Sequence, residues 1–190
     1  MEAISTSFAL VALAEIGDKT MLLALVLAAR FRQPVPIVLG ILFATLANHF
    51  IAALLGVHIA GLLDGPLFRI AVAAGFIIMG LWTLVPDKFE EKDRSRHGNG
   101  AFLTTLIAFF LVEIGDKTQV ATIALGARYG DALPVTLGTT LGMLAANVPA
   151  VILGEALVKR LSLALIRYVA AASFVALGLF MLIQAADLFP

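Results

Sequence analysis

The chain has 190 residues, 61% of them hydrophobic, and its 13 basic and 13 acidic side chains leave no formal net charge. The mean hydropathy of +1.03 marks an integral membrane protein rather than a water-soluble domain. No basic patch suggests nucleic acid, and the absence of cysteine excludes disulfides, zinc–thiolate sites and a cysteine nucleophile.

The apolar stretches run to about 20–25 residues, enough to cross ~30 Å of hydrocarbon as helices. They lack the short alternating segments of a membrane barrel. The pattern predicts an all-α membrane protein with six spans, at 5–29, 35–57, 67–86, 101–126, 133–157 and 163–185. The first span has no basic leader region and is read as a retained helix, not a signal peptide. It carries Glu15-Ile16-Gly17-Asp18-Lys19-Thr20 near its centre, then Met21, and ends at Arg30, an interfacial position where arginine can snorkel. Pro34 and Pro36 separate it from the second span, which holds Asn48 and His49 mid-helix. Asp64, Gly65 and Pro66 precede the third span, where Gly80 is a candidate packing site, and Pro86 closes it. Asp87 to Gly100 is the one long polar run and reads as a solvated linker. The fourth span carries Glu113-Ile114-Gly115-Asp116-Lys117-Thr118, then Gln119, and ends at Arg128. Asp131 and Pro134 lead into the fifth, with Asn147 at its centre and Pro149 predicted to kink it. Lys159 and Arg160 precede the sixth, which contains Gly178.

The halves align at an offset of 98 without gaps. The identical hexapeptide, the pairs Arg30–Arg128 and Arg69–Arg167, and the shared Pro36–Pro134 and Gly40–Gly138 register are not products of apolar composition alone. Phe76 matches Phe174 and Gly80 matches Gly178, while His49 faces Asn147 in the alignment. The predicted organisation is therefore a first three-helix repeat over 1–86, a linker over 87–100 and a second repeat over 101–190. An odd number of spans per repeat makes the two insert in opposite directions, with a site expected near the midplane at their interface. Arg30, Arg32, Lys88, Lys92, Arg94, Arg96, Lys159, Arg160 and Arg167 fall on one side, and Arg69 and Arg128 on the other. The positive-inside rule then places the linker in the cytoplasm and both termini outside.

Each motif puts two carboxylates and an ammonium into an apolar span. An ionisable group at mid-bilayer costs about 2.5–3.5 kcal/mol, so six cost on the order of 15–20 kcal/mol unless they meet one another or an ion. In an unbroken helix Glu15, Asp18 and Lys19 lie at i, i+3 and i+4 on one face, and Glu113, Asp116 and Lys117 repeat it. That order favours Glu–Lys ion pairs within each motif, which could also serve only to hold the bundle together. Gly17 and Gly115 permit either close helix approach or local unwinding. Thr20, Thr118 and the amide of Gln119 add oxygens, and Met21 offers a soft sulfur or merely packs. Asn48, His49 and Asn147 either hydrogen-bond between helices or line the site. Together the motifs carry a formal −2, which one dication or two protons neutralise. The same carboxylates can thus bind a metal dication or protons. Oxygen ligands suit Ca²⁺, Mn²⁺ or Mg²⁺.

Two copies of E-x-G-D-[KR]-[ST], each in a three-span half, resemble the Gdt family of cation/proton exchangers, and the resemblance covers essentially the whole chain. That family includes Golgi manganese/calcium transporters of eukaryotes and manganese exporters of bacteria. The resemblance implies export of Mn²⁺ or Ca²⁺ coupled to inward proton flow, with Glu15, Asp18, Glu113 and Asp116 as metal ligands supported by Lys19, Lys117, Thr20 and Thr118. The short linker and the lack of a long leader resemble a compact bacterial member of the inner membrane. The partners implied are a divalent cation, protons and the lipid bilayer; no cofactor is expected beyond the transported ion, and homo-oligomerisation is open. Manganese is the expected cargo, with a calcium/proton exchanger as the alternative. An amino-acid exporter of three-plus-three build, an intramembrane aspartyl enzyme using Asp18 and Asp116, and a passive channel are competing classes.

Overall fold

Both hexapeptides break the helix that carries them. A computed structural model of the chain describes residues 1–63, 65–85, 100–154 and 162–186, and of Leu163 and Ala186 only the backbone. It is all-helical, with no strand among the described residues. In chain order the helices are α1 (Glu2–Glu15), α2 (Lys19–Phe31), α3 (Pro34–Leu62), α4 (Pro66–Thr83), α5 (Ala101–Glu113), α6 (Lys117–Tyr129), α7 (Ala132–Leu153) and α8 (Leu163–Ala186). Four apolar segments are long enough to cross a membrane: Pro34–Leu62, Pro66–Thr83, Ala132–Leu153 and Ala164–Ala185. Helix α5 is apolar but only 13 residues long.

The continuous helices expected over 5–29 and 101–126 are each two half-helices. Gly17 has φ +85° and Gly115 φ +77°, conformations that a residue with a Cβ adopts at a cost. Ile16 and Ile114 before them are extended at ψ 114° and 118°. Asp18 N–H then donates to Glu15 O at 3.0 Å, and Asp116 N–H to Glu113 O at 3.1 Å, closing a short turn. A Cβ on Gly115 would meet open space. Close helix approach is therefore not its role; local unwinding is. Each Glu ends one helix and each Asp begins the next, so the i, i+3, i+4 face does not exist.

Helix α3 packs against α5 and α6, the pieces that carry the second motif, and α7 against α1 and α2, which carry the first. Helix α4 packs against α8. Small residues set these contacts. A Cβ on Gly56 would lie 2.0 Å from Ile123 O, and one on Gly138 2.5 Å from Ile4 O. Gly80 and Gly178 are packing sites as expected: their Cβ atoms would lie 2.7 Å from Val175 Cγ2 and 2.7 Å from Ala73 O. Helix α7 contains Pro149 and continues to Leu153. The linker 87–99, Asp64, Pro86, Lys159 and Arg160 lie outside the described residues.

The interior is unusually polar. Glu15, Asp18, Asn48, His49, Glu113, Asp116, Lys117 and Asn147 are buried, while Phe43, Ile51, Leu55, Leu81, Leu137 and Leu141 are exposed. That reverses the ordinary distribution of a water-soluble protein and suits a lipid surround. Two apolar clusters flank the polar centre, one including Met21, Phe109 and Met143, the other Phe76, Leu125 and Phe174.

Candidate metal centre

The two motifs, far apart in sequence, meet in space. Glu15 and Glu113 are fully buried and Asp116 is 4% exposed, and one oxygen of each lies within 4.8 Å of the other two. The broken helices position these acids. Glu15 and Glu113 end α1 and α5, where carbonyl dipoles add negative potential. Asp18 and Asp116 stand at the N-caps of α2 and α6, yet neither side chain bonds to the helix end it caps. Their carboxylates are turned to other partners.

Those partners come from the opposite motif. Lys19 Nζ lies 2.9 Å from Asp116 Oδ1, and Lys117 Nζ 4.0 Å from Asp18 Oδ1. Lys117 Nζ also donates to Val85 O at 3.0 Å. The expected Glu15–Lys19 pairing within one helix is replaced because the break turns Lys19 away from Glu15 and across to Asp116. Asp18 is not among the three acids that converge. Beside it, Gly17, Asp18, Thr83, Lys117 and Arg167 help to line a pocket of about 20 Å³, room for roughly one water.

Although the sequences are identical, the two glutamates differ. Thr20 Oγ1 donates to Glu15 Oε2 and Thr118 Oγ1 to Glu15 Oε1, so both threonines serve one carboxylate. Glu113 has no hydrogen-bond donor on either oxygen among the described residues, and Asp116 Oδ2 has none. His49 is fully buried, with Nε2 3.7 Å from Glu113 Oε2.

The remaining predicted site residues divide. Gln119 Oε1 accepts from Gly115 N–H at 2.8 Å, so its amide oxygen stabilises the break instead of facing the acids. Met21 packs in an apolar cluster. Asn48 Nδ2 donates to Phe110 O at 3.0 Å, an interhelical bond to α5. Asn147 Nδ2 bonds within α7 to Met143 O at 3.0 Å, and its Oδ1 has no partner among the described residues. From the sequence, His49 is undecided between hydrogen bonding across helices and lining the site. A basic side chain mid-span beside Asn48 was the signal available. The carbonyl of Val85 carried no signal at all. Arg30 ends α2 with its guanidinium over Phe31, and Arg128 ends α6 with Nη2 3.9 Å from Glu2.

A family model described as "Divalent cation/proton antiporter GDT1" matches residues 3–91 and 101–188. A Vibrio cholerae protein described as "Putative manganese exporter" is 49% identical over 180 residues, 94% of this chain and 90% of that protein. A GDT1-like protein 3 of Oryza sativa subsp. indica is 30% identical over 188 residues, 85% of this chain and 66% of its own length. A GDT1-like protein of Synechocystis sp. is 28% identical over 183 residues, 85% of this chain and 87% of its own. No solved structure matches.

Proposed function

The chain belongs to the GDT1 divalent cation/proton antiporter family, and on that premise we propose that it exports Mn²⁺ from the cytoplasm in exchange for protons. The observation that carries this reading is the convergence of Glu15, Glu113 and Asp116 with three carboxylate oxygens left without a hydrogen-bond partner among the described residues. Buried carboxylate oxygens with nothing to accept from call for a cation or a proton. The two motifs carry four carboxylates and two ammonium groups, a formal −2 that one dication or two protons cancel. Lys19 already occupies Asp116 as a tethered cation. A metal entering between the acids displaces that ammonium, and the ammonium returns when the metal leaves. Asp18 is the fourth acidic ligand of this reading, with Thr20 and Thr118 orienting Glu15.

The membrane arrangement that serves this function is six passages in two inverted halves, 1–86 and 101–190. Helices α1–α2 and α5–α6 form one broken passage each, and α3, α4, α7 and α8 the others. Reciprocal contacts support a twofold relation, since an isologous interface repeats each contact with roles exchanged. At an offset of 98 Lys19–Asp116 and Lys117–Asp18 are such a pair, and aligned Phe76 and Phe174 stack on each other with centroids 6.4 Å apart. The family model also matches on each side of the linker. The setting proposed is a bacterial inner membrane, with the linker in the cytoplasm and both termini outside, the orientation that loop charge favours. Transport needs no bond-making step, and no catalytic role is assigned to any residue.

Manganese is favoured over calcium because the converging acids are few. Calcium takes six to eight oxygens; the three converging acids carry six, of which both on Glu15 accept threonine hydroxyls and one on Asp116 is held by Lys19. The manganese exporter description of the Vibrio cholerae relative agrees. The all-oxygen character of those acids is what keeps a calcium/proton exchanger as the second reading. Proteoliposomes loaded with a pH indicator test both. Mn²⁺ uptake accompanied by opposing proton movement is expected, with Ca²⁺ carried less well. Metal flux without proton movement would overturn the antiport reading.

A further inference from the structure

We infer that His49 supplies a nitrogen ligand to the metal site and biases it towards a transition-metal dication over Ca²⁺. The inference rests on the cation-site reading above and adds a residue that the duplicated motif does not contain. His49 lies on α3, fully buried, and neither ring nitrogen has a hydrogen-bond partner among the described residues. A buried imidazole that neither donates nor accepts forfeits its hydration without return. The group nearest to explaining it is Glu113, also fully buried and also without a hydrogen-bond donor on either oxygen.

The spacing between them is informative. At 3.7 Å, Nε2 and Oε2 are too far apart for a hydrogen bond. Two donors held about 2.2 Å from one ion, at angles of roughly 90–120°, are ~3.1–3.8 Å apart. The pair therefore fits the edge of a coordination polyhedron better than it fits a direct contact. Carboxylate and imidazole in one shell suit a transition metal, whereas calcium selects oxygen donors.

The second half offers no equivalent nitrogen. Asn147 occupies the aligned position, and its amide nitrogen is already spent on Met143 O within its own helix. The duplicated acids can serve several dications alike; the single imidazole breaks that indifference. His49 stands outside the cluster of three acids whose oxygens lie within 4.8 Å of one another and adjoins it through Glu113 alone, so the inferred nitrogen ligand joins the acids of the site reading on the Glu113 side.

The test is equilibrium binding to the purified full-length protein in detergent. Mn²⁺ is followed through loss of the free-ion electron paramagnetic resonance signal, and Ca²⁺ is scored by competition. Wild type is compared with His49→Asn, which copies the opposite half, and with His49→Gln. Mn²⁺-dependent and Ca²⁺-dependent shifts in melting temperature provide a second readout that needs no transport. The expected result is a Mn²⁺-over-Ca²⁺ preference in wild type that falls tenfold or more in both variants, with Ca²⁺ affinity changed less than threefold. An unchanged preference, or equal loss of both ions in both variants, would show that His49 only packs. Wild-type protein that prefers Mn²⁺ through His49 yet moves no ion in vesicles would leave this inference standing and overturn the transport reading instead.

Discussion

Removing Lys19 should tighten Mn²⁺ binding and slow turnover. Its ammonium lies 2.9 Å from Asp116 Oδ1 with only 22% of its side chain exposed, while Lys117 stands 4.0 Å from Asp18. At an effective dielectric constant of about 20, unit charges attract by ~6 kcal/mol at the first distance and ~4 kcal/mol at the second. Desolvation offsets much of each figure, so the difference between the pairs, about 1.5 kcal/mol, is the more useful quantity; it corresponds to roughly tenfold in affinity. A metal that takes Asp116 must first displace Lys19, and Lys19→Gln removes that competitor without adding bulk. The half-saturating Mn²⁺ concentration in proteoliposomes should fall, and fall about tenfold further than in Lys117→Gln. Maximal rate should fall with it, because no ammonium returns to Asp116 as the ion leaves. Lys117→Gln should produce the same change on a smaller scale, since its pair is longer and its Nζ is also anchored to Val85 O. Weaker or unchanged Mn²⁺ binding in folded Lys19→Gln protein would refute the tethered-cation account, and so would a larger effect from Lys117→Gln.

Asp116→Asn and Glu113→Gln, each nearly isosteric, should reduce Mn²⁺ uptake at least a hundredfold while the protein keeps its elution volume and helical circular dichroism; near-normal uptake in either would remove that carboxylate from the ligand set. Two glycine substitutions should separate conformation from packing. Gly115→Ala meets open space and pays only for its positive φ, about 1–2 kcal/mol, whereas Gly56→Ala drives a Cβ to within 2.0 Å of Ile123 O and 2.8 Å of Ala127 N, both backbone. Thermal unfolding in detergent should show a drop of a few degrees for Gly115→Ala and loss of the folded protein for Gly56→Ala; equal destabilisation would contradict the packing described for α3 and α6.

Much of this was legible because membranes restrict what a sequence can do. Runs of apolar residues bounded by Pro34, Pro66 and Asp131 gave α3, α4 and α7 within a few residues, since proline at a helix start and a polar cap mark ends independently of tertiary structure. The duplication of the hexapeptide at an offset of 98 was visible in the residues alone. What the sequence did not disclose was the course of the chain through each motif. Apolar periodicity continues across Ile16 and Ile114, so a helical window runs straight through the break; only Gly17 and Gly115 hint at it, and glycine signals close approach as readily as a turn. The pairing error followed from that. Once a helix is assumed, Glu15 and Lys19 are neighbours, and the pairing of Lys19 with Asp116 cannot be foreseen.

Both hexapeptides break alike, yet they occupy different environments. In an unbroken helix each Thr, five residues on, would stand about 140° around the axis from its own Glu. Here the chain turns at Gly17 and Gly115, and the hydroxyls of Thr20 and Thr118 both fall on Glu15. Glu15 is thereby satisfied and held, and Glu113 is left with open oxygens beside His49. A symmetric pair of acids would hold a dication with no preferred order of arrival or departure. One fixed carboxylate and one open carboxylate create a difference between first and second contact, and the ammonium competitor stands closer on the open side, 2.9 Å from Asp116 against 4.0 Å from Asp18. Sequence duplication thus supplies the charge, while the geometry of two broken helices decides which of those charges an ion meets unpaired.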